Sequence, residues 1–176
     1  MTPAAITTRL AALDDATALA DIVHSNREAL APFEPERTER FFTEAGQRDV
    51  LETALREHEQ GVTVPQVILM DGVVVGRITL NGITRGPLLS AGLGYWVAPA
   101  FHGRGIATAA VRQMRRVAFE DLGLHRLQAG TLLHNVGSQK VLERNGFVRF
   151  GIAQRYLKIA GDWQDHVLYQ LIAPNG

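Results

Sequence analysis

A β-prone run over residues 90–97 passes through Phe101-His102-Gly103-Arg104-Gly105 straight into a helical pattern that begins Ile106-Ala107-Thr108. Strand, glycine turn and helix in immediate succession predict a βαβ unit over residues 90–133, the place where α/β folds usually build a ligand site. The first N–H groups of such a helix have no intrahelical acceptor, and they carry the positive end of its dipole. Gly103 and Gly105 have no Cβ, so the backbone there can come within hydrogen-bond distance of an anion. The turn is therefore suited to a diphosphate.

The remaining pattern surrounds that unit. Residues 6–10 read as a short first strand. Asp14 is placed to cap a helix whose apolar stripe is Leu19, Ile22, Val23 and Leu30, and the prolines of Ala31-Pro32-Phe33-Glu34-Pro35 break it. A second helix is predicted over residues 46–60, with Gly61 as its stop. Val67-Ile68-Leu69-Met70 and Val73-Val74-Val75 flank Asp71-Gly72, a favoured two-residue hairpin turn, and the second strand continues through Leu80. Ala107, Ala110, Val111, Met114, Val117 and Ala118 repeat at helical spacing up to Gly123. A strand at 126–133, a helix at 135–144 and two strands at about 152–159 and 163–172 complete the chain. The order β-α-α-β-β-β-α-β-α-β-β predicts an α/β protein (α+β in some schemes): one mixed, mostly antiparallel sheet with helices on both faces. With 176 residues, a single domain over 1–176 is expected.

Charge and composition exclude several functions. Basic and acidic residues balance at 18 each, so no cationic excess exists for general nucleic-acid binding, and none is expected. Arg104, Arg112, Arg115 and Arg116 lie close in sequence, but a solvated helix face explains the last three. Without cysteine there is no thiol nucleophile or thiolate metal site, and no His/Asp/Glu spacing suggests a metal. Met1-Thr2-Pro3-Ala4-Ala5 shows no signal peptide and no apolar run is long enough to span a bilayer, so a cytoplasmic protein is expected.

Two blocks together resemble the GCN5-related N-acetyltransferase (GNAT) superfamily. His102-Gly103-Arg104-Gly105-Ile106-Ala107 is similar to that family's acetyl-CoA signature R/Q-x-x-G-x-G/A, with histidine at the first position. Asn135-Val136-Gly137-Ser138, running on to Asn145-Gly146-Phe147, is similar to its N-x-x-S…G-F block. Asn26-Arg27-Glu28-Ala29-Leu30-Ala31-Pro32-Phe33-Glu34-Pro35-Glu36-Arg37 and Tyr156-Leu157-Lys158-Ile159-Ala160-Gly161-Asp162-Trp163-Gln164-Asp165-His166 extend the likeness to the RimJ/RimL-type branch, the ribosomal-protein-alanine N-acetyltransferases.

The resemblance implies the GNAT fold, acetyl-CoA as cosubstrate, and transfer of acetyl to a primary amine by direct attack in a ternary complex. It implies that Tyr95, Trp96, Val97, His102, Gly103, Arg104, Gly105, Ile106, Ala107, Thr108, Asn135 and Ser138 contact the cosubstrate. Val97 would contribute a backbone N–H to the thioester carbonyl. Ser138 would serve the departing thiolate, although a second helix-capping serine is an equal reading. Three positions where relatives carry a base or acid hold Gly92, Leu142 and Arg155 instead. Glu34, in the proline-braced loop, and the Asp165-His166 pair are the candidates left for moving a proton.

An α-amine has a pKa of about 7.7–8.0, so roughly a tenth to a fifth is neutral at pH 7, against about one part in a few thousand for lysine. A weak base therefore suits an α-amine, and the resemblance implies a protein N-terminus beginning with alanine or serine, that of a ribosomal protein among them. The alternatives are a small free amine (an amino acid or amine antibiotic) and a catalytically weak acyl-CoA-binding module. A homodimer is left open.

Overall fold

The computed structural model describes residues 4–174. The described residues form seven strands and five α-helices, besides short 3-10 and π turns: β1 (Ile6–Leu10), α1 (Ala16–Ser25), α2 (Arg27–Leu30), α3 (Glu44–Glu59), β2 (Val64–Met70), β3 (Val73–Thr84), β4 (Ser90–Val97), α4 (Ile106–Arg116), β5 (Arg126–Leu132), α5 (Val136–Arg144), β6 (Val148–Ile159) and β7 (Asp162–Ile172). All strands belong to one sheet in the order β1-β2-β3-β4-β5-β7-β6. Each neighbouring pair is antiparallel except β4 and β5. This is the mixed, mostly antiparallel sheet that the element order predicts.

Alternation along the strands builds a core on each face. Ile78, Leu80 and Leu93 point to one side, where α4 lays down Ile106, Ala110, Val111 and Met114 and α5 adds Leu142. Val67 and Leu69 point to the other, against Ala16 and Leu19 of α1 and Leu51 of α3. Leu19, Leu51, Ile78 and Met114 are fully buried, and each such side chain contributes roughly 1.5–3 kcal/mol of transfer free energy. α4 is held by this stripe, while Arg112 and Arg116 on its opposite side are exposed.

Local chemistry moves several boundaries. Asp14 is exposed and does not cap α1; its neighbour Asp15 is 5% exposed, with Oδ2 accepting the Ala12 N–H at 2.8 Å and both oxygens held by Arg9. The bidentate guanidinium selects the second of two adjacent aspartates. α1 ends at Ser25, and Asn26 donates its side-chain amide to the Ile22 carbonyl, so the predicted long helix is two helices. α3 starts two residues before the predicted Gly46, because Thr43 Oγ1 accepts the Gly46 N–H at 3.1 Å as an N-cap. α4 passes into a wider turn over Val117–Asp121 before Gly123. β6 begins at Val148 rather than near 152, since its exposed edge carries little alternation to read. Among the described residues no helix is long and apolar enough to cross a membrane; Met1-Thr2-Pro3, part of the signal-peptide reading, lies outside them.

β4 and β5 position everything that follows. They are in register only at Ser90↔Arg126, Ala91↔Leu127 and Gly92↔Gln128. Beyond that, β4 continues beside β3 to Val97 and β5 continues beside β7 to Leu132, so the two separate and leave a gap through the sheet.

Candidate active site

Val97 leads into the glycine turn at one lip of the gap. Gly103 and Gly105 have φ of +76° and +75°, a left-handed conformation that side chains bearing a Cβ rarely adopt. Nothing lies within 4 Å of where a Cβ would stand at either position, so the space over the turn is open. The first helical hydrogen bond runs from the Ala109 N–H to the Gly105 carbonyl at 3.0 Å. The N–H groups of residues 103–108 donate to no acceptor among the described residues. Ile106, 2% exposed, drives its side chain into the core and fixes the helix start. Arg104 is exposed, with its guanidinium 5.6 Å from the Phe101 ring centre. His102 Nε2 lies 2.7 Å from the Val97 carbonyl and its backbone N–H donates to the Pro99 carbonyl, so this exposed residue braces the turn. Ala107 packs on the core, and the Thr108 carbonyl accepts from Asn145 Nδ2 at 3.2 Å.

The pleat aims one more N–H. Ala98 donates its N–H to the Val75 carbonyl of β3 at 2.8 Å. Alternation then turns the Val97 N–H away from β3, toward the side where β5 has departed.

Tyr95 and Ser138 meet across the gap. The Tyr95 hydroxyl is 2.8 Å from Ser138 Oγ and donates to the Ser138 carbonyl at 3.2 Å. Burial is the main cause that pushes the Tyr95 phenol up to about 12. Asn135 Oδ1 accepts the Ser138 N–H at 3.1 Å and caps α5. The capping role open to Ser138 thus falls to Asn135, and the Ser138 hydroxyl faces Tyr95.

The opposite face of the sheet carries the other groups. Tyr95 shares the α4 face with Ile78; Trp96 and its register partner Arg77 lie on the α1/α3 face. Over them runs the loop after α2. The Phe33 and His134 rings stand 5.8 Å apart, and the Glu34 carbonyl accepts the Ala160 N–H from the β6–β7 turn at 2.9 Å. Both contacts anchor that loop to the β5-β7-β6 side of the gap. The Glu34 carboxylate is 19% exposed and lies 3.8 Å from Arg37 Nε. Burial raises its pKa, opposed by the charges of Arg37 and Arg77. Asp165 and His166 do not pair: Asp165 Oδ1 accepts the Arg155 N–H, and His166 sits against Tyr156 with Nδ1 on the Gln164 carbonyl. Consecutive strand residues point to opposite faces, which separates them.

Arg77 is the residue that sequence reasoning missed. An arginine in an alternating strand reads as solvated surface, and only the loop above reveals it as part of the site.

The gap can therefore hold an acyl group between an N–H donor and a hydroxyl pair, with a diphosphate at the turn and an amine entering beneath Glu34. Residues 6–148 match the profile of the acetyltransferase (GNAT) domain family. The chain is 33% identical over 167 residues to the [ribosomal protein uS5]-alanine N-acetyltransferase of Escherichia coli (strain K12), covering 92% of this chain and 84% of that one. The structure of Mycobacterium smegmatis RimJ in complex with CoA-disulfide superimposes with a TM-score of 0.93 at 33% identity, over 97% of this chain and 83% of the other. Ribosomal-protein-S5-alanine acetyltransferase from Vibrio fischeri gives 0.91 at 32% identity, over 97% and 94%.

Proposed function

The chain belongs to the GNAT superfamily, in its ribosomal-protein-alanine acetyltransferase (RimJ/RimL-like) branch, and on that footing we propose that it acetylates the α-amine of a protein N-terminus. It is an acetyl-CoA-dependent N-acetyltransferase of an amine. The finer reading, a ribosomal-protein N-terminus beginning with alanine or serine, draws on the relatives' own activities. A cytoplasmic setting goes with it.

The observation that carries the reading is the carboxylate of Glu34, partly buried over the gap and held above the usual carboxylate range. A base of that kind is weak. It suits an amine that is already about a tenth neutral and not a lysine.

The protein's own groups divide the work. The N–H groups of residues 103–108, unengaged among the described residues, fit a diphosphate, and the open space over Gly103 and Gly105 leaves room for it. Asn135, with its side-chain amide protons uncommitted by the cap, is placed for the arm that leads into the gap. Acetyl-CoA supplies the acyl thioester. The Val97 N–H donates where negative charge develops on the carbonyl oxygen. Glu34 receives the ammonium proton, directly or through water, so that the amine lone pair is free. The Ser138 hydroxyl, whose Oγ lies 2.8 Å from the Tyr95 hydroxyl, gives its hydrogen bond to the charge that collects on sulfur once Tyr95 turns its proton from the Ser138 carbonyl to that Oγ.

Release of CoA thiol with a panel of alanyl and seryl peptides, free amino acids and lysine side-chain acceptors tests this. Peptides should exceed free alanine and lysine acceptors in kcat/KM by about tenfold or more, a modest difference in transition-state binding. Preference for a free amino acid would replace the reading with that of a small-amine acetyltransferase.

A further inference from the structure

Arg77 carries a charge that the fold does not use. It is only partly exposed, its Nε is fully buried without a partner, and its guanidinium makes no hydrogen bond or ion pair with any described residue. Burial disfavours its charged form, yet a guanidinium keeps its proton in proteins. A charge removed from water and left unpaired is costly. Glu34 relieves it only from a distance, and Arg37 opposes it: the cation within 4 Å of the Glu34 carboxylate is Arg37, which also lies over the Phe41 ring at 4.4 Å.

The placement gives this unused fork a direction. Arg77 stands opposite Trp96 on β4, one residue before Val97, on the face roofed by the Glu34 loop. An acceptor whose ammonium lies under Glu34 brings its neighbouring atoms over Arg77. We propose that Arg77 is a specificity-determining residue that receives a carboxylate of the acceptor. The inference rests on the reading of the site as an amine acetyltransferase and deepens it. The carboxylate has two sources: the α-carboxylate of a free amino acid, or an acidic side chain at the second residue of a protein N-terminus. Either meets the planar, bidentate geometry of a guanidinium.

Calorimetric titration of the CoA-saturated enzyme separates the sources. One pair of ligands is a short alanyl peptide with glutamate or glutamine at its second position; the other is alanine against alaninamide. In the wild type, the carboxylate member of one pair binds about tenfold or more tighter than its amide partner, as a charge-assisted hydrogen bond predicts. The pair that shows the difference names the source. In Arg77→Gln the ratio falls to near one while CoA affinity stays unchanged, and Arg77→Lys restores part of it. Wild-type ratios near one for both pairs overturn the inference, as does a ratio that survives in Arg77→Gln. Absent binding of all four ligands also overturns it. Transfer is measured separately: carboxylate-dependent binding without turnover sinks only the proposed acceptor chemistry, whereas turnover without carboxylate preference sinks only the role of Arg77.

Discussion

Ser138→Ala gives the sharpest test of the catalytic arrangement, because the structure isolates what the mutation removes. The helix cap survives, since Asn135 Oδ1 binds the Ser138 backbone N–H and not its side chain. Tyr95 keeps an acceptor as well, because the Ser138 carbonyl lies 3.2 Å from its hydroxyl. The loss is then one hydroxyl aimed into the gap, and global stability should change by less than about 1 kcal/mol. A hydrogen bond to a charged group is worth about 1.5–3 kcal/mol, which converts to roughly a 10- to 150-fold fall in kcat if it is made to the departing sulfur in the transition state. The KM for acetyl-CoA should hardly move, because the thioester ground state bears little charge there.

Tyr95 adds a constraint. A phenol pushed up to about 12 stays protonated throughout any usable assay range. A protonated phenol is a hydrogen-bond donor. Its role is to orient Ser138 and polarise it. Tyr95→Phe should cost less than Ser138→Ala, and the double mutant should be no slower than Ser138→Ala alone, the non-additivity of groups acting as a unit. The assay is steady-state CoA thiol release with an alanyl peptide, with solvent viscosity varied to establish that kcat reports chemistry. A Ser138→Ala kcat within twofold of wild type, or an effect confined to KM, refutes the reasoning.

Three further outcomes follow from other parts of the structure. Gly105→Trp should abolish measurable acetyl-CoA binding by calorimetry, because a side chain there fills the open space above the turn and a residue with a Cβ resists φ of +75°; unchanged affinity would remove the turn from the site. Glu34→Gln should lower kcat/KM about a hundredfold and erase an activity limb in the pH profile. The folded-state pKa is raised, so Glu34 becomes ionised, and activity rises, as pH passes through a window above the ordinary carboxylate range. Glu34's contribution to stability runs the other way and declines as pH climbs through the same window. Asp15→Ala should destabilise the fold by about 3 kcal/mol, a Tm drop of roughly 6–12 °C, because it leaves the Ala12 N–H without its acceptor and the Arg9 guanidinium with only the Leu10 carbonyl. The Asp15 pKa is depressed chiefly by its hydrogen bonds from Arg9, so its stabilisation is fully present above the ordinary aspartate pKa and lost as pH falls through the lowered one. Denaturant melts of wild type and mutant should converge at strongly acidic pH.

The sheet was legible because its strands have strong signals. Asp71-Gly72 between two apolar runs marks the β2–β3 hairpin, and the stripe of Ala110, Val111 and Met114 marks α4. The glycine turn was equally readable, since two glycines at left-handed φ before a helix have a local cause. Other parts depend on partners remote in sequence. Asp14 and Asp15 are equivalent as letters, and only Arg9 on β1 distinguishes them. The Tyr95–Ser138 contact joins residues 43 positions apart and exists because β4 and β5 diverge, which no local pattern encodes. Glu34 and Arg77 come together through a loop whose position is set by backbone pairing with Ala160, far along the chain. The direction of the Val97 N–H needs the strand register, which is a tertiary property.

The three-pair junction between β4 and β5 has a mechanical consequence. Every other seam of this sheet is stitched over a longer run, so this one is where the molecule should breathe first. A cosubstrate seated in the opening as proposed above would supply hydrogen bonds where the rungs are missing, and so would act as a rivet between the flanks. Amides along the upper ends of both strands should exchange slowly with solvent only while the rivet is in place.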